Sequence, residues 1–568
     1  MNLLCKSTDE NFWRKVRESE SFFALRERLL CEWESCGCDM PIPDLKYSDY
    51  KLFFTTGDRS QYQKPYFDRR RTLTVSALLA LIYPENEDYI KRLNDIIYAI
   101  CDEFTWCLPA HIWELNVNNT CRIDLFSAET GMYLAEIYNI FGDKIEPFVR
   151  DRIPMELERR IFNPFELRYP EVKWELGDAN WTSVCMGSVA CAYMLMKPDR
   201  ARDNIPRFNA SMDTFLDGFS SDGACLEGGA YWNYGMSFFT VYADMLREFT
   251  GGKIDYFKDT RVKRIYKFFE NYFLFENMTI SFSDSPSTCY FSRGRMHRAK
   301  LEYGDEISLP DEKYSSLILT RFSELLREFL WYEESFESDA KQDETEIFAS
   351  DAQWFIKRTK KYAVAAKGGH NSEPHNHNDI GSFIVIKDGE CLLTDVGTGK
   401  YTRQYFSDKR YTLFEPSSRS HSVPIIDDEY QKFGKEFRAR DVEFVRGVFS
   451  LDIAGAYGFC EGESIKRSFS FGDDKIIITD EFSVKKGRKI KERLVTKIEP
   501  KLDAFGTVML GKHKILYDAE VFGVSVSKEI STVGGALISG AEIVENCYYL
   551  IDFTPTLPDV SKFEVKII

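Results

Sequence analysis

Several things are missing from this 568-residue chain, and each absence removes a class of explanation. No run of about 18 consecutive apolar residues occurs, so no membrane-spanning helix is predicted. Positive charge is in deficit: 74 Lys and Arg against 90 Asp and Glu give a formal charge of −16, which argues against broad binding to nucleic acid or an anionic membrane. A locally basic cleft for an anionic substrate stays open. Paired metal-knuckle cysteines are missing as well. Cys36 and Cys38 form a lone C-x-C, and others, such as Cys101, Cys185 and Cys191, sit in apolar helical settings. Free buried thiols in a reducing compartment are the expectation. The N-terminus turns polar before a signal-peptide core could form. A cytoplasmic protein is therefore expected if Met1 is the native start, and a periplasmic or secreted one if a signal has been removed. No strict internal repeat marks a solenoid. Histidine is scarce, with only seven residues in the chain.

The length calls for two or more domains, and a 15% aromatic content suits ring-lined clefts. From Phe12 to about Phe329 the apolar spacing is helical, as in Leu93, Ile96, Ile97, Ile100 and in Leu125, Met132, Leu134, Ile137. Val184 to Met196 and Phe238 to Phe249 are predicted helices, ended by Lys197-Pro198 and by Gly251-Gly252. The many helices of similar length predict an (α/α) toroid over residues 1–345. The acidic stretch Glu333 to Glu346 reads as a linker. Beyond it the period becomes two, and Tyr362–Ala366, Ser382–Lys387, Lys475–Thr479, Lys489–Val495 and Val521–Ser527 are predicted strands. An antiparallel β-sandwich is expected over 346–568.

Three of the seven histidines fall in the stretch His370-Asn371-Ser372-Glu373-Pro374-His375-Asn376-His377. Such crowding suits metal ligation or acid/base work. The following segment folds back through Asp388-Gly389, a strong hairpin signal, towards Asp395. His377, Asp395 and the later His421 could supply an N/O/N metal site, with hydrogen bonding inside loop and strand as the alternative. His375, on the same face as His377 if this piece is extended, could then reach substrate. Elsewhere, Asn180 precedes an apolar helix, where it could cap the helix or bind a substrate carboxylate. Asp222 to Gly235, with Glu227, Tyr231, Trp232 and Tyr234 among its glycines, reads as a ring-exposing loop suited to sugar faces. Trp106, His111, Trp113 and Arg122 suit a carbohydrate cleft wall, although ordinary packing explains any one of them. Lys400, Arg403, Lys409 and Arg410 could hold an anionic sugar or form a solvated face.

Together these motifs resemble the heparinase II/III-like family of polysaccharide lyases. The resemblance rests on Asn180-Trp181 before the apolar helix, on Asp-Gly…Glu-Gly…Tyr-Trp-x-Tyr from Asp222 to Tyr234, on His375-x-His-Asn-Asp-x-Gly-Ser-Phe383, on Asp395, and on Ser420-His-Ser422. It implies an N-terminal (α/α) toroid with a C-terminal antiparallel β-sandwich, in agreement with the change of period. It also implies roles: Asn180 neutralises the uronate carboxylate, Tyr234 (with Tyr231 as rival) and His375 do the proton chemistry, and Tyr401 or Tyr405 touches substrate. His377, Asp395 and His421 hold a divalent metal, zinc before manganese or calcium, mainly to steady the loop.

A β-elimination lyase acting on uronate-containing glycans is therefore expected. Glycosaminoglycans of the heparan, chondroitin or hyaluronan type come first and alginate or oligoalginate second. A hydrolase would need two opposed carboxylates, for which Asp178, Asp222 and Glu227 are the candidates. A carbohydrate-binding protein is the non-enzymatic alternative. The expected partner is an anionic polysaccharide or oligosaccharide, with neither nucleic acid nor membrane.

Overall fold

The structure, a computed structural model, describes residues 3–112, 114–168, 172–315, 317–336, 344–459, 462–503, 505–533 and 544–568. It falls into two compact units. The first comprises Met1–Gly218, Trp232–Tyr266 and Phe291–Ser338, and the second Phe219–Tyr231, Lys267–Tyr290 and Asp339–Ile568. A single cut at residue 345 therefore does not describe the units, because the second takes in two segments of the N-terminal half. Each unit is described by itself.

The first unit is helical. Asn180–Met196 packs against Leu125–Phe141 and Pro198–Asp217. Val184, Met186, Val189 and Ala190 on it are fully buried, and each of the larger apolar side chains contributes about 1.5–3 kcal/mol. Small residues set the close approach. A Cβ on Gly187 would lie 3.1 Å from the Phe238 carbonyl oxygen and 3.2 Å from Met212 Cε. Ser60–Ile82, buried along most of its C-terminal half, packs against Glu87–Cys101. The predicted helices are present, and two begin earlier than their apolar pattern indicates, at Asn180 and at Gly229. Among the described residues no helix is long and apolar enough to cross a membrane.

The second unit is built of antiparallel sheets. A five-stranded sheet runs in the order Thr345–Ala349, Trp354–Arg358, Tyr362–Lys367, Phe383–Lys387, Glu390–Leu393. Its last hairpin turns at Asp388 and Gly389, with φ of 48° and 79°, so the Asp-Gly pair forms the tight turn its chemistry favours. Thr394 N–H donates to the Val495 carbonyl (3.0 Å), linking this sheet to a four-stranded one that contains Ile490–Thr496 and Val544–Pro555. An eight-stranded sheet supplies the other half of the core. Phe355 of the five-stranded sheet stacks on Phe449 of the eight-stranded one, with ring centroids 5.1 Å apart. Val364, Val385, Phe469, Ile478, Ile551 and Val565 join the same core.

The two borrowed segments are tied to this unit by polar contacts. Arg358 donates to the carbonyls of Glu270 (3.0 Å) and Phe273 (2.7 Å), Asp222 Oδ2 accepts from the backbone of Asp351 and Ala352, and Ser281 Oγ donates to the Asp395 carbonyl.

Candidate functional site

The histidine loop between Asn371 and Ser382 has little regular structure, and its rigidity comes from anchors on both sides. Lys367 Nζ, fully buried, pairs with Glu373 (3.1 Å) and Asp379 (2.7 Å). Gln431 accepts from the Ile380 N–H and donates to the Ile380 carbonyl, and its own carbonyl accepts from Asn378 Nδ2. Buried Arg467 donates to the carbonyls of Gly381 (2.9 Å) and Ser422 (2.6 Å), holding the end of the histidine loop and the segment after His421 from one guanidinium. Charge-assisted bonds of this kind are about twice as strong as neutral ones. His375 itself has φ of 54°, a conformation unusual for a non-glycine residue. The piece is thus a turn, and the expected extended alternation of His375 and His377 does not occur.

The ring nitrogens of both histidines meet one carboxylate. Asp284, fully buried, lies 2.8 Å from His375 Nδ1 and 2.9 Å from His377 Nε2. It also accepts from Tyr401 Oη (3.0 Å), from Tyr405 Oη and from Arg410, whose Nη2 lies 3.0 and 3.1 Å from its two oxygens. Burial alone would raise its pKa. The charge of Arg410 and the two imidazole hydrogen bonds outweigh burial and hold the carboxyl well below its ordinary value. Tyr231 stacks on His375 with centroids 4.2 Å apart, and its hydroxyl bonds to that of Tyr401. Burial, then the Asp284 charge, pushes the Tyr231 phenol far up, so it keeps its proton. On the other side of the imidazole, His375 Nε2 is 3.6 Å from Glu227 Oε2.

His377, Asp395 and His421 are buried, with one potential ligand atom from each lying within 4.8 Å of the others. His377 spends Nε2 on Asp284, and its Nδ1 is buried without a hydrogen-bond partner. His421 Nε2 lies 3.1 Å from the Glu415 carbonyl, an acceptor only, so the ring donates there and offers Nδ1 towards Asp395 at 2.8 Å. Ser382 Oγ and the Gly397 N–H hold Asp395 in turn. Two imidazoles, each with one nitrogen engaged by an outer partner, beside a buried carboxylate are what a metal site requires of its surroundings. The residues fit a divalent metal.

In the helical unit Asn180 is buried as the first residue of its helix, and the cap position belongs to Ala179, so capping is not its part. Tyr234 is also buried. Its hydroxyl donates to Glu129 Oε1 (2.5 Å), and Arg321 lies over its ring at 4.0 Å. The segment expected to be a ring-exposing loop instead enters the helix Gly229–Phe249. Gly228, with φ of 95° and Ser285 2.5 Å from where a Cβ would stand, marks the entry. Two rings expected to meet sugar, Trp106 on a cleft wall and Trp232 in the ring-exposing loop, are core residues. Trp106 donates to the Ile100 carbonyl and Trp232 to that of Ile265, and both are fully buried because their large apolar faces outweigh any use at a surface. His111, half-buried, bonds Asp124 at 2.7 Å, stacks on Phe126 and meets Trp181 edge to face, and Arg122 is half-buried. Trp113 lies outside the described residues.

Residues 342–537 match the family described as Heparinase II/III-like, C-terminal. That stretch is thus similar to a heparinase II/III-like C-terminal domain. Solved structures share the fold along nearly the whole chain: a helical toroid followed by antiparallel β-sandwich sheets. Heparinase III is similar with a TM-score of 0.60 at 13% identity, covering 98% of this chain and 91% of that one. The heparan sulfate lyase HepC of Pedobacter heparinus gives 0.56 at 13%, over 97% and 83%. The Streptomyces coelicolor A3 chondroitin AC lyase in complex with chondroitin sulphate gives 0.55 at 10%, over 98% and 82%. No curated protein matches the chain significantly.

The matched stretch thus supplies His375, His377, Asp395, Tyr401, Tyr405, Arg410 and His421, and the segments borrowed from the N-terminal half supply Glu227, Tyr231 and Asp284. Sequence reasoning missed Asp284. It stands in Ser283-Asp284-Ser285-Pro286, whose only local signal is that of a turn.

Proposed function

We propose that this protein is a polysaccharide lyase that cleaves uronic-acid-containing glycans by β-elimination, leaving a C4–C5 unsaturated uronate. Glycosaminoglycans are the favoured substrates, in keeping with the names of the structures that share the fold, and alginate is second. The observation that carries the reading is the pairing of a neutral-side imidazole nitrogen and a proton-bearing phenol on stacked rings, His375 and Tyr231.

A uronate carries a weakly acidic hydrogen at C5, alpha to its carboxylate. His375, donating through Nδ1 to Asp284, has its Nε2 lone pair available to take that hydrogen as a proton. The nearby Glu227 carboxylate stabilises the imidazolium that forms. Tyr231, holding its proton, is suited to protonate the departing O4. Negative charge that develops on the uronate carboxylate needs neutral or cationic donors, a part for which the resemblance names the Asn180 amide. Tyr234 is assigned no proton transfer, because its hydroxyl is committed to Glu129. The proposed metal ligands are His377, Asp395 and His421. The N/O/N donor set favours zinc, whose contribution when bound would be to fix the loop that carries His375.

The test is a panel of heparan sulfate, chondroitin sulfate, hyaluronan and alginate, followed by ultraviolet absorbance of the new double bond. Absorbance that grows with one of these supports the lyase. Chain shortening without absorbance would mean hydrolysis, and binding without shortening would mean a lectin-like role.

A further inference from the structure

Asp284 collects more donors than any ordinary buried carboxylate needs. His375, His377, Tyr401, Tyr405 and Arg410 all direct hydrogens at its two oxygens. An ionised carboxylate is acceptor-only, with about four lone-pair sites. Every neighbour must therefore donate, and this fixes the proton positions of two rings at once. When the rings are neutral, His375 is then the Nδ1–H tautomer with Nε2 bare, and His377 the Nε2–H tautomer with Nδ1 bare. The bare His375 nitrogen faces Glu227, and the bare His377 nitrogen belongs to the metal-fitting cluster.

We infer that Asp284 is the positioning residue of the site, a single carboxylate that sets opposite tautomers on His375 and His377 and so couples the metal loop to the reacting imidazole. It acts through the two rings. Tyr401 extends its reach: its hydroxyl donates to Asp284 and so accepts from Tyr231, which fixes the direction of the phenol proton as well. Arg410, whose Nη2 lies 3.0 and 3.1 Å from its two oxygens, supplies the opposite charge that a buried carboxylate requires. The role assigned to His375 rests on the lyase reading above, but the tautomers do not.

Asp284→Asn is nearly isosteric yet has only one acceptor oxygen, and its amide nitrogen must donate. One of the two rings must then turn its proton round or lose its partner. With whichever uronate polymer the wild type cleaves, kcat is expected to fall about 10²- to 10⁴-fold, as for a general base left in the wrong tautomer, while KM stays within about threefold. Metal retention against a chelator is expected to weaken about 10- to 100-fold, as for loss of an outer partner of a ligating imidazole. Ring ¹⁵N spectra of histidine-labelled wild type should show Nδ1–H on His375 and Nε2–H on His377, and the variant should lose one of these patterns. A kcat within threefold of wild type, or a wild-type His375 bearing its proton on Nε2, overturns the inference. If the variant fails to fold, the wild-type spectrum alone decides. If no uronate polymer is cleaved, the lyase reading falls, and the tautomers with metal retention still decide the place of Asp284.

Discussion

Asp284 of the β unit and Glu129 of the helical unit are both buried carboxylates that accept tyrosine hydroxyls and feel a nearby arginine. Their surroundings drive them in opposite directions. Asp284 receives Arg410 on both oxygens and a ring N–H from each of two histidines, which overcomes burial and keeps it ionised. Glu129 receives Tyr234 and Tyr133, with Arg321 acting as a nearby charge, and burial wins, raising its pKa. Tyr231 thus belongs to a network whose protons all point one way around a fixed charge, and Tyr234 to a closed core cluster. The difference distinguishes the two tyrosines more sharply than their spacing in the sequence does.

The largest expected effect breaks the comparison at the two tyrosines. Tyr231→Phe and His375→Ala should each lower kcat about 10²- to 10⁴-fold, the usual contribution of a positioned acid or base. Tyr234→Phe should keep turnover within about tenfold and cost about 1–3 kcal/mol of stability by leaving Glu129 short of a donor. Steady-state kinetics beside thermal melts of the three variants settle the matter. The reverse pattern would transfer the chemistry to Tyr234.

The metal cluster comes next. If the ion is structural, a chelator should lower the melting temperature before it alters chemistry, and added zinc should restore it. The stabilisation is about 4 kcal/mol where free metal exceeds its Kd a thousandfold. His421→Ala should melt like the chelated wild type and be insensitive to zinc. Unchanged melts with lost turnover would instead give the ion a catalytic part.

The raised carboxylates of the helical unit predict a pH dependence. Glu328, buried and held by Ser292 and the Gly294 N–H, is pushed up to about 7 because burial outweighs those bonds. Its folded pKa exceeds the ordinary value, so its contribution is fully present below about pH 4.5 and is lost as pH rises through 7, by roughly 3 kcal/mol in all. Glu328→Gln should therefore melt with a flatter pH profile and gain most over wild type at pH 8. Glu129→Gln should shift in the same direction.

Regular structure was legible in the sequence where one pattern dominated. The strand at Tyr362, the Asp388-Gly389 turn and the helix ending at Met196 stand where spacing and turn chemistry put them. His377, Asp395 and His421 also come together as expected: Asp395 follows the strand Glu390–Leu393, His421 follows the short turn of helix Ser418–Ser420, and anchors on both sides hold the loop that carries His377. Side-chain exposure was not legible. Trp106 was read as cleft wall and Trp232 as part of a ring-exposing loop, and tertiary packing put both in the core. Asp284 was invisible because its partners lie 91 to 126 residues further along the chain, and no local pattern records an acceptor waiting for them. The borrowed segments were hidden for the same reason, since the acidic stretch after Glu333 marks a change of composition rather than a limit of packing.

The smallest effect concerns the four cations after the hairpin, which look alike in the sequence. Arg410 is spent internally: it binds Asp284 and the carbonyls of His375 and Asn376, and its guanidinium lies 4.3 Å from the centre of the Tyr405 ring. Lys400, Arg403 and Lys409 are exposed. A solvated charge in high dielectric contributes at most about 1 kcal/mol to a contact, and salt screens it. Replacing any one of the three by Ala should therefore raise KM for an anionic glycan no more than about fivefold, leave kcat unchanged, and lose even that effect at high ionic strength. Arg410→Met should instead lower kcat at every salt concentration, because it uncovers a buried carboxylate rather than a surface. Kinetics at two ionic strengths distinguish the cases, and a salt-insensitive KM change at Lys400 or Arg403 would mean that these side chains are held in a defined, partly desolvated contact with the substrate.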